Sequence, residues 1–460
     1  MSLSFAAAEW AARLTFDQLP PDVVHTTKLR VLDVIGLALA GLSTDFGRAT
    51  RRAAVAMSPP GTARVLGTGD RLGVPTAAFV NGALSQALEY DDTHNESIVH
   101  MSSPSVAAAL ALAEGAPVPG RALIAAIAVG NELACRVGSV APGQFHRRGF
   151  HPTGLFAPFG VAFLAGRLLA LDAGQMAHAA GICGSFAAGL LECWVDGTHP
   201  KFLHPGWAAQ SGIASAFLAR EGMTGPGHVW EGRFGLFASH LQDAGAPRRF
   251  ERIASGLGTV WDSRNASFKP FPAAHVIHPY LDALLRLRAT HGLRGSDVER
   301  IDCPVAAFIV PIVCEPVEEK LAPASDSHGR VSLQYTLAEA LHHGELGRHA
   351  YAPESLRDPE ILALARRVHY QVDPDFPGPG RFKGAVRVTM KDGRTLAEVE
   401  EYNRGSRENP MSEPDIRRKF DENAGDILSA GARDRLADAI GRLEHLEDAR
   451  AVVELAVAGS

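Results

Sequence analysis

Apolar residues cover nearly every face of several long stretches in the first part of the chain. Val31, Leu32, Val34, Ile35, Leu37 and Leu39 surround a whole helical circumference, and the runs 106–113, 122–135, 155–171 and 207–218 have the same character. Helices that are apolar on most sides belong inside a multi-layered helical domain. The pattern changes after about residue 265. Segments 298–304 and 306–311 predict short extended pieces, and residues 385–390 alternate up to a turn at Lys391-Asp392-Gly393-Arg394, resuming at Thr395, Leu396 and Val399. Alternation on both sides of Asp-Gly is the strongest short hairpin signal. Helical periodicity returns at Ser412, an N-cap with acids behind it, and over 436–446. The expected order is a long helical part, a smaller α+β part and a short helical tail.

One polar run breaks this pattern. Glu89-Tyr90-Asp91-Asp92-Thr93-His94, with His100 beyond it, lies between apolar helical segments and reads as the end of one buried helix and the loop into the next. Polar groups left unpaired in such surroundings cost roughly 2–7 kcal/mol each. Capping of the following helix would explain one of these residues, but not the whole group.

Composition narrows the function classes. At 460 residues, 46% hydrophobic and 21% charged, the chain is too long for a single core, so two domains are expected. A net charge of -6 gives no electrostatic footprint for nucleic acid or an anionic membrane. An anionic substrate would have to be held by local cations. Five cysteines, an odd number without a Cys-x-x-Cys pair, predict buried thiols in a reducing compartment and no disulfide framework, iron–sulfur cluster or zinc site. The first nine residues lack the basic region of a secretory signal. The charge-free stretch 173–191 carries Gln175, His178, Ser185 and several glycines, so it predicts a buried helix and not a membrane span. A cytoplasmic protein is expected. Residues 67–73 are glycine-rich but lead into no strand–turn–helix unit, which excludes dinucleotide binding.

Four further clusters join the first. His151 sits in Gly149-Phe150-His151-Pro152-Thr153-Gly154 just before a helix, where backbone N–H groups and the helix dipole favour an anion. His199, Lys201 and His204 are expected in a loop before the next helix. Lys269 lies in the proline-stiffened turn Lys269-Pro270-Phe271-Pro272, with His275 and His278 beyond it. Ser332-Leu333-Gln334-Tyr335 leads into a helix of the second part. Taken alone, the residues support a carboxylate-binding pocket at helix N-termini and no specific reaction.

In order and spacing, these motifs, with Asn409-Pro410 and Lys419-Phe420 near the C-terminus, resemble the MmgE/PrpD family along essentially the whole chain. The family includes 2-methylcitrate dehydratases, cis-aconitate decarboxylases and iminodisuccinate epimerases. The resemblance implies a mainly α fold: a large all-helical domain over 1–268, completed by 405–460, and a smaller α+β lid domain over 269–404. It also implies a homodimer, and the absence of a cysteine cluster predicts an activity that needs no cofactor. The implied activity is that of a lyase of the 2-methylcitrate dehydratase type, acting on a small di- or tricarboxylic acid by proton abstraction next to a carboxylate and loss of water. Decarboxylation or epimerisation of a related polycarboxylate is the alternative. Such chemistry builds negative charge beside a carboxylate, which cations in a water-poor site stabilise. Lys201 and Lys269 are therefore assigned that electrostatic role. Asp92, His100 and His151 are assigned proton transfer or positioning, and Tyr335, carried by the lid, protonation. Asp91, Thr93, His94, His204 and His275 are expected to bind substrate. Two departures from the family pattern, Met101 after His100 and Ala273-Ala274 after the Lys269 turn, bear on pocket shape.

Two rival readings differ in class. A metal-dependent lyase would use Asp91, Asp92, His94 and His100 as ligands, though none of them shows the i, i+4 spacing of a preformed helical site. A non-catalytic carboxylate-binding protein would retain the pocket but lose the lysines or His151, and all of these are present.

Overall fold

The computed structural model describes residues 2–457 and residue 459. The all-round apolar stretches form helices Pro21–Gly41, Ser102–Gly115, Gly120–Gly138, Pro152–Leu168 and Pro200–Arg220. Together with Val74–Gln86 and Ala173–Cys183 they enclose one large hydrophobic core, to which Phe420, Leu428, Leu436, Ile440, Leu443 and Val452 of the C-terminal segment also contribute. The C-terminal segment is fastened electrostatically as well. Lys419, on helix Glu413–Ala424, reaches Asp33 at 2.8 Å and the Tyr90 carbonyl at 2.9 Å. Burial pushes the Asp33 carboxyl up to about 6 despite that partner.

A second core gathers Tyr280, Leu284, Ile301, Val313, Tyr335, Leu341 and Val388. Its sheet has the strands Val298–Val305, Val368–Val372, Gly384–Met390 and Thr395–Glu400. Val298–Val305 is central, parallel to Val368–Val372 and antiparallel to Gly384–Met390. The hairpin forms where Asp-Gly predicted it, with Thr389 opposite Thr395. Helix His278–His291 packs on this hairpin. The chain is thus mainly α, with a smaller α+β region in its C-terminal part.

Three local expectations are corrected. Residues 306–311 are not extended: Ala307–Ile309 is a 3-10 turn and Val310–Cys314 a π-helical turn. The helix beginning at Ala173 ends at Cys183, where the chain enters a glycine-interrupted loop whose Leu190 is 63% exposed. Lys201 and His204 lie within the first two turns of Pro200–Arg220 and not in the loop before it, since Pro200 starts the helix at N1. All five cysteines are free and buried. Among the described residues, no helix is long and apolar enough to cross a membrane.

Glycine permits the close helix contacts that position the chemistry. Pro200–Arg220 crosses Val74–Gln86 where Gly206 faces Gly82. A Cβ on Gly206 would come within 2.2 Å of the Phe79 carbonyl oxygen. Gly206→Ala should therefore destabilise the protein by about 1–3 kcal/mol, the usual cost of overpacking a core. Because this helix carries Lys201 and His204, any activity should fall too. Urea denaturation of the variant checks the first point; an unchanged midpoint would mean the two helices are not held this closely.

Candidate active site

The polar run lies where helix Val74–Gln86 ends. The next loop pairs Thr93 and His94 with Ser267 and Ala266 in a short antiparallel bridge, then enters Ser102–Gly115. This bridge sets residues 89–100 against the turn at Lys269. From the other side, helix Pro200–Arg220 directs Lys201 into the same space.

Glu89 is the centre of the cluster. Its carboxylate bonds Lys201 Nζ, lies 3.2 Å from Lys269 Nζ and is 3.9 Å from His100 Nε2. Lys269 also donates to the Glu89 carbonyl at 2.9 Å. Lys269 is fully buried, and Glu89, His100 and Lys201 are each about 4% exposed. Burial alone would raise the Glu89 carboxyl, but Lys201, Lys269 and His100 outweigh it and hold Glu89 far below the ordinary carboxylate range. Burial lowers the Lys269 ammonium, with Glu89 and Asp91 opposing that shift.

His100 is held by one ring nitrogen. Its Nδ1 is hydrogen-bonded to the Asp92 carbonyl at 3.1 Å and lies 3.1 Å from Asp91 Oδ1 and 3.3 Å from Thr93 Oγ1. A carbonyl can only accept, so Nδ1 carries the proton and Nε2, on the Glu89 side, is left to exchange one. Asp91 is fixed by Ser103 Oγ at 2.8 Å. Burial would raise its carboxyl, but His100 and Lys269 bring it below its usual value. His151, the N-cap residue of Pro152–Leu168, stands 5.5 Å from His100 between ring centres, and its Nδ1 is 2.8 Å from His204 Nδ1. The His151 Nε2 is buried without a hydrogen-bond partner. Burial first, then Lys201, pushes His151 well below its ordinary value and His204 down to about 4. Both are neutral near pH 7.

The structure separates the remaining expected residues from this cluster. Asp92 faces away from Glu89. It accepts from Ser102 Oγ at 2.6 Å and Ser102 N at 3.2 Å and lies 3.2 Å from Arg30 Nε, so it caps the next helix and pairs with a buried arginine. The acid beside His100 is Asp91. His94 bonds Ser97 Oγ at 2.7 Å and steadies the loop. His275 meets Asn403 at 2.9 Å and packs against His278 and Phe382, within the second part of the chain. Tyr335 does not join the histidines. Ser332 caps its helix and turns Tyr335 into the second core, 6.2 Å from Tyr351 between ring centres, where burial first and then Glu339 push its hydroxyl far above the ordinary value.

Sequence reasoning missed three participants. Glu89 was visible only as one more acid in the run. Arg330 crosses from the second part to donate to the Leu88 and Pro272 carbonyls, both at 2.9 Å. His146, against Trp194, is pushed down to about 4 by burial and then by Lys201. No local spacing marks either of these last two. Among the described residues, no group of three or more His, Cys, Asp or Glu side chains is arranged to hold a metal ion. Of the four residues a metal-dependent lyase would use, Asp91 meets His100, whereas Asp92 turns to Arg30 and His94 to Ser97. The cavity lined by both Glu89 and Lys201 measures about 10 Å³. A cleft of about 580 Å³ opens beside Arg30 and Asn131 but reaches none of Glu89, His100, Lys201 or Lys269.

These shifts set an acid stability profile. A histidine of ordinary value 6.5 takes up its proton more readily in the unfolded chain than His151 or His204 does in the fold. Stability from these groups is complete above pH 6.5 and declines as pH falls toward 4, by about 1.4 kcal/mol per pH unit for each histidine. Glu89 and Asp91, lowered from 4.5 and 3.8, add stability that is lost only at still lower pH. Urea midpoints should thus drop between pH 6.5 and 4.5, and His204→Gln should flatten that slope. A flat wild-type profile would show that these histidines are protonated in the fold.

Two family models cover most of the chain: the MmgE/PrpD N-terminal domain matches residues 6–248 and the MmgE/PrpD C-terminal domain residues 271–445. A cis-aconitate decarboxylase of Aspergillus terreus is 29% identical over 97% of this chain and 94% of its own length. The cis-aconitate decarboxylase of Homo sapiens is 28% identical over 98% and 93%. A 2-methylcitrate dehydratase of Cupriavidus necator is 26% identical over 74% and 72%. With both domain models matched in order along one chain, the protein belongs to the MmgE/PrpD family.

Proposed function

We propose that this protein is a lyase acting on a small di- or tricarboxylic acid, with Lys201 and Lys269 holding a substrate carboxylate and His100, backed by Asp91, moving the proton. The observation that carries this reading is the convergence of two buried ammonium groups and an imidazole nitrogen on a single carboxylate, that of Glu89. Donors fixed in a water-poor site stabilise charge developing next to a carboxylate without reorganising during the reaction.

Two versions of the chemistry fit these parts. In decarboxylation a C–CO2 bond breaks, the electron pair passes to a carbon beside the clamped carboxylate, and protonated His100 Nε2 delivers a proton there. In dehydration neutral His100 Nε2 removes a proton from that carbon, a double bond forms, and the hydroxyl leaves as water with the proton that His100 gives back. The relatives that align along nearly their whole length are named cis-aconitate decarboxylases, while the dehydratase aligns over less of the chain. That supports decarboxylation of a cis-aconitate-type acid as the first reading. Water loss from a 2-methylcitrate-type acid is the second. A homodimer without a cofactor remains part of the proposal.

Incubating the full chain with cis-aconitate, 2-methylcitrate, citrate and iminodisuccinate in D2O, with NMR detection, separates the possibilities. We expect CO2 loss with one deuterium incorporated into the product. Water loss would select the second reading, deuterium exchange without net change would select epimerisation, and no reaction with any of the four would refute the lyase assignment for these acids. On the true substrate, Lys201→Met should lower kcat/KM by about 2–4 kcal/mol equivalent. Asp91→Asn should lower kcat, whereas Asp92→Asn should act mainly on the urea midpoint. Equal kinetic losses for both aspartates would contradict the roles assigned here.

A further inference from the structure

Lys201 and Lys269 are already neutralised by the protein itself. Glu89 contacts both of them and faces His100 Nε2, and the cavity beside it, about 10 Å³, has room for about one water. With His100 neutral, two carboxylates (Glu89 and Asp91) balance two ammonium groups. A further carboxylate entering on top of Glu89 would meet a like charge at hydrogen-bonding range with neither lysine left for it.

The other wall of this space comes from the second part of the chain. Ser327, His328 and Arg330 line it together with Trp194. His328 is 7% exposed, and both of its ring nitrogens lack a hydrogen-bond partner, as do Ser327 Oγ and Arg330 Nε. Buried polar atoms of this kind are ordinarily satisfied, so several lining one space point to a polar ligand that they receive. The Glu89 backbone also sits at φ 54, a left-handed conformation that residues other than glycine adopt uncommonly. It is held there by Lys269 on its own carbonyl and by Arg330 on the carbonyl of Leu88.

We propose that the Glu89 carboxylate is a built-in occupant of a substrate-carboxylate subsite, and that a dicarboxylate binds by displacing it from Lys201 and Lys269 while presenting its second carboxylate to Ser327, His328 and Arg330. The inference rests on the reading of the two lysines as a carboxylate clamp. Because the backbone is pinned on both sides, the exchange is a rotation of the Glu89 side chain. Glu89 then acts as a specificity residue: a ligand must out-compete an internal carboxylate, and the apparent affinity is reduced by the fraction of molecules in which Glu89 still occupies the clamp. Its carboxylate, held ionised by the lysines, is a poor proton acceptor, which sets it apart from His100.

The test uses the full chain and malonate, a dicarboxylate with no reaction to undergo here, titrated by calorimetry. Glu89→Gln should bind malonate at least tenfold more tightly than wild type, and Lys201→Met in that background should abolish the gain. His328→Ala should weaken malonate binding in the same background. Unchanged or weaker malonate binding in Glu89→Gln would overturn the proposal and make Glu89 a fixed part of the clamp. Should Glu89→Gln fail to fold, Glu89→Asp, whose carboxylate is one methylene shorter and cannot span both lysines, must bind malonate at least threefold more tightly; no tightening overturns the proposal equally. Since malonate binding is read without turnover, a failure here leaves the lyase reading intact. A tightening in a protein that converts none of the four acids would do the reverse.

Discussion

Three buried charges, Glu89, Lys201 and Lys269, must find one another for the centre of this molecule to exist. Removing an ion from water costs several kcal/mol even after relaxation, and a partner at hydrogen-bonding distance repays it only when the geometry is good. The three residues come from a helix C-terminus, the first turn of another helix and a proline-rich turn. Lys201 and Lys269 lie 112 and 180 positions from Glu89 in sequence. The requirement that they meet therefore fixes how Val74–Gln86, Pro200–Arg220 and the Lys269 turn lie. The glycines at the helix crossing allow the approach that this demands.

Buried cations also organise the loops around that centre. Arg330 ends on the Leu88 and Pro272 carbonyls, Lys320 on the Ile312 and Val331 carbonyls, and Lys419 on the Tyr90 carbonyl. Tyr90 in turn donates to the Pro270 carbonyl at 2.9 Å. Irregular backbone has carbonyl groups that no helix or sheet satisfies, and these side chains supply the missing donors. Loops held in this way can carry chemistry with little mobility, because each polar atom that defines their path is tied to a core element. One of these contacts also ties the two parts of the chain together: Arg330, from the second, donates to the Leu88 carbonyl in the first.

Burial is the first cause of the neutral histidines in this cluster, and Lys201 adds to it there while opposing it at Glu89. Lys201 stands near His151, His204, His146 and Glu89, and the same positive charge that disfavours imidazolium favours carboxylate. Of the histidines in this cluster, His100 is the one flanked by acids on both sides, Asp91 at Nδ1 and Glu89 beyond Nε2. Asp92, adjacent in sequence to Asp91, spends its carboxylate on a helix N-terminus and on Arg30.

Much of this was legible in the chain. All-round apolar periodicity marked the buried helices, Asp-Gly between alternating segments marked the hairpin, and Ser412 and Ser332 marked helix starts, because each signal is local and depends on backbone geometry shared by all proteins. The concentration of acids, histidines and lysines in otherwise apolar surroundings also marked Asp91, His100, His151, Lys201 and Lys269 as residues that needed partners. Sequence could not say which partners. Asp91 and Asp92 look alike as neighbours, yet one turns to His100 and the other to Arg30, because adjacent side chains on a loop point in different directions set by the Thr93–Ser267 bridge. Tyr335 carries the same local helix-start signal as His151, but tertiary packing buries it in the second core. Glu89 and Arg330 take key partners from far along the chain, Lys201 and Lys269 lying 112 and 180 positions from Glu89 and Leu88 lying 242 from Arg330, and His328 shares its cavity with Trp194 and Lys201. Local rules determined the elements and the kinds of chemistry available; the direction of each charged side chain, and therefore the clamp itself, was decided by long-range packing, where the cost of an unpaired buried charge selects one arrangement.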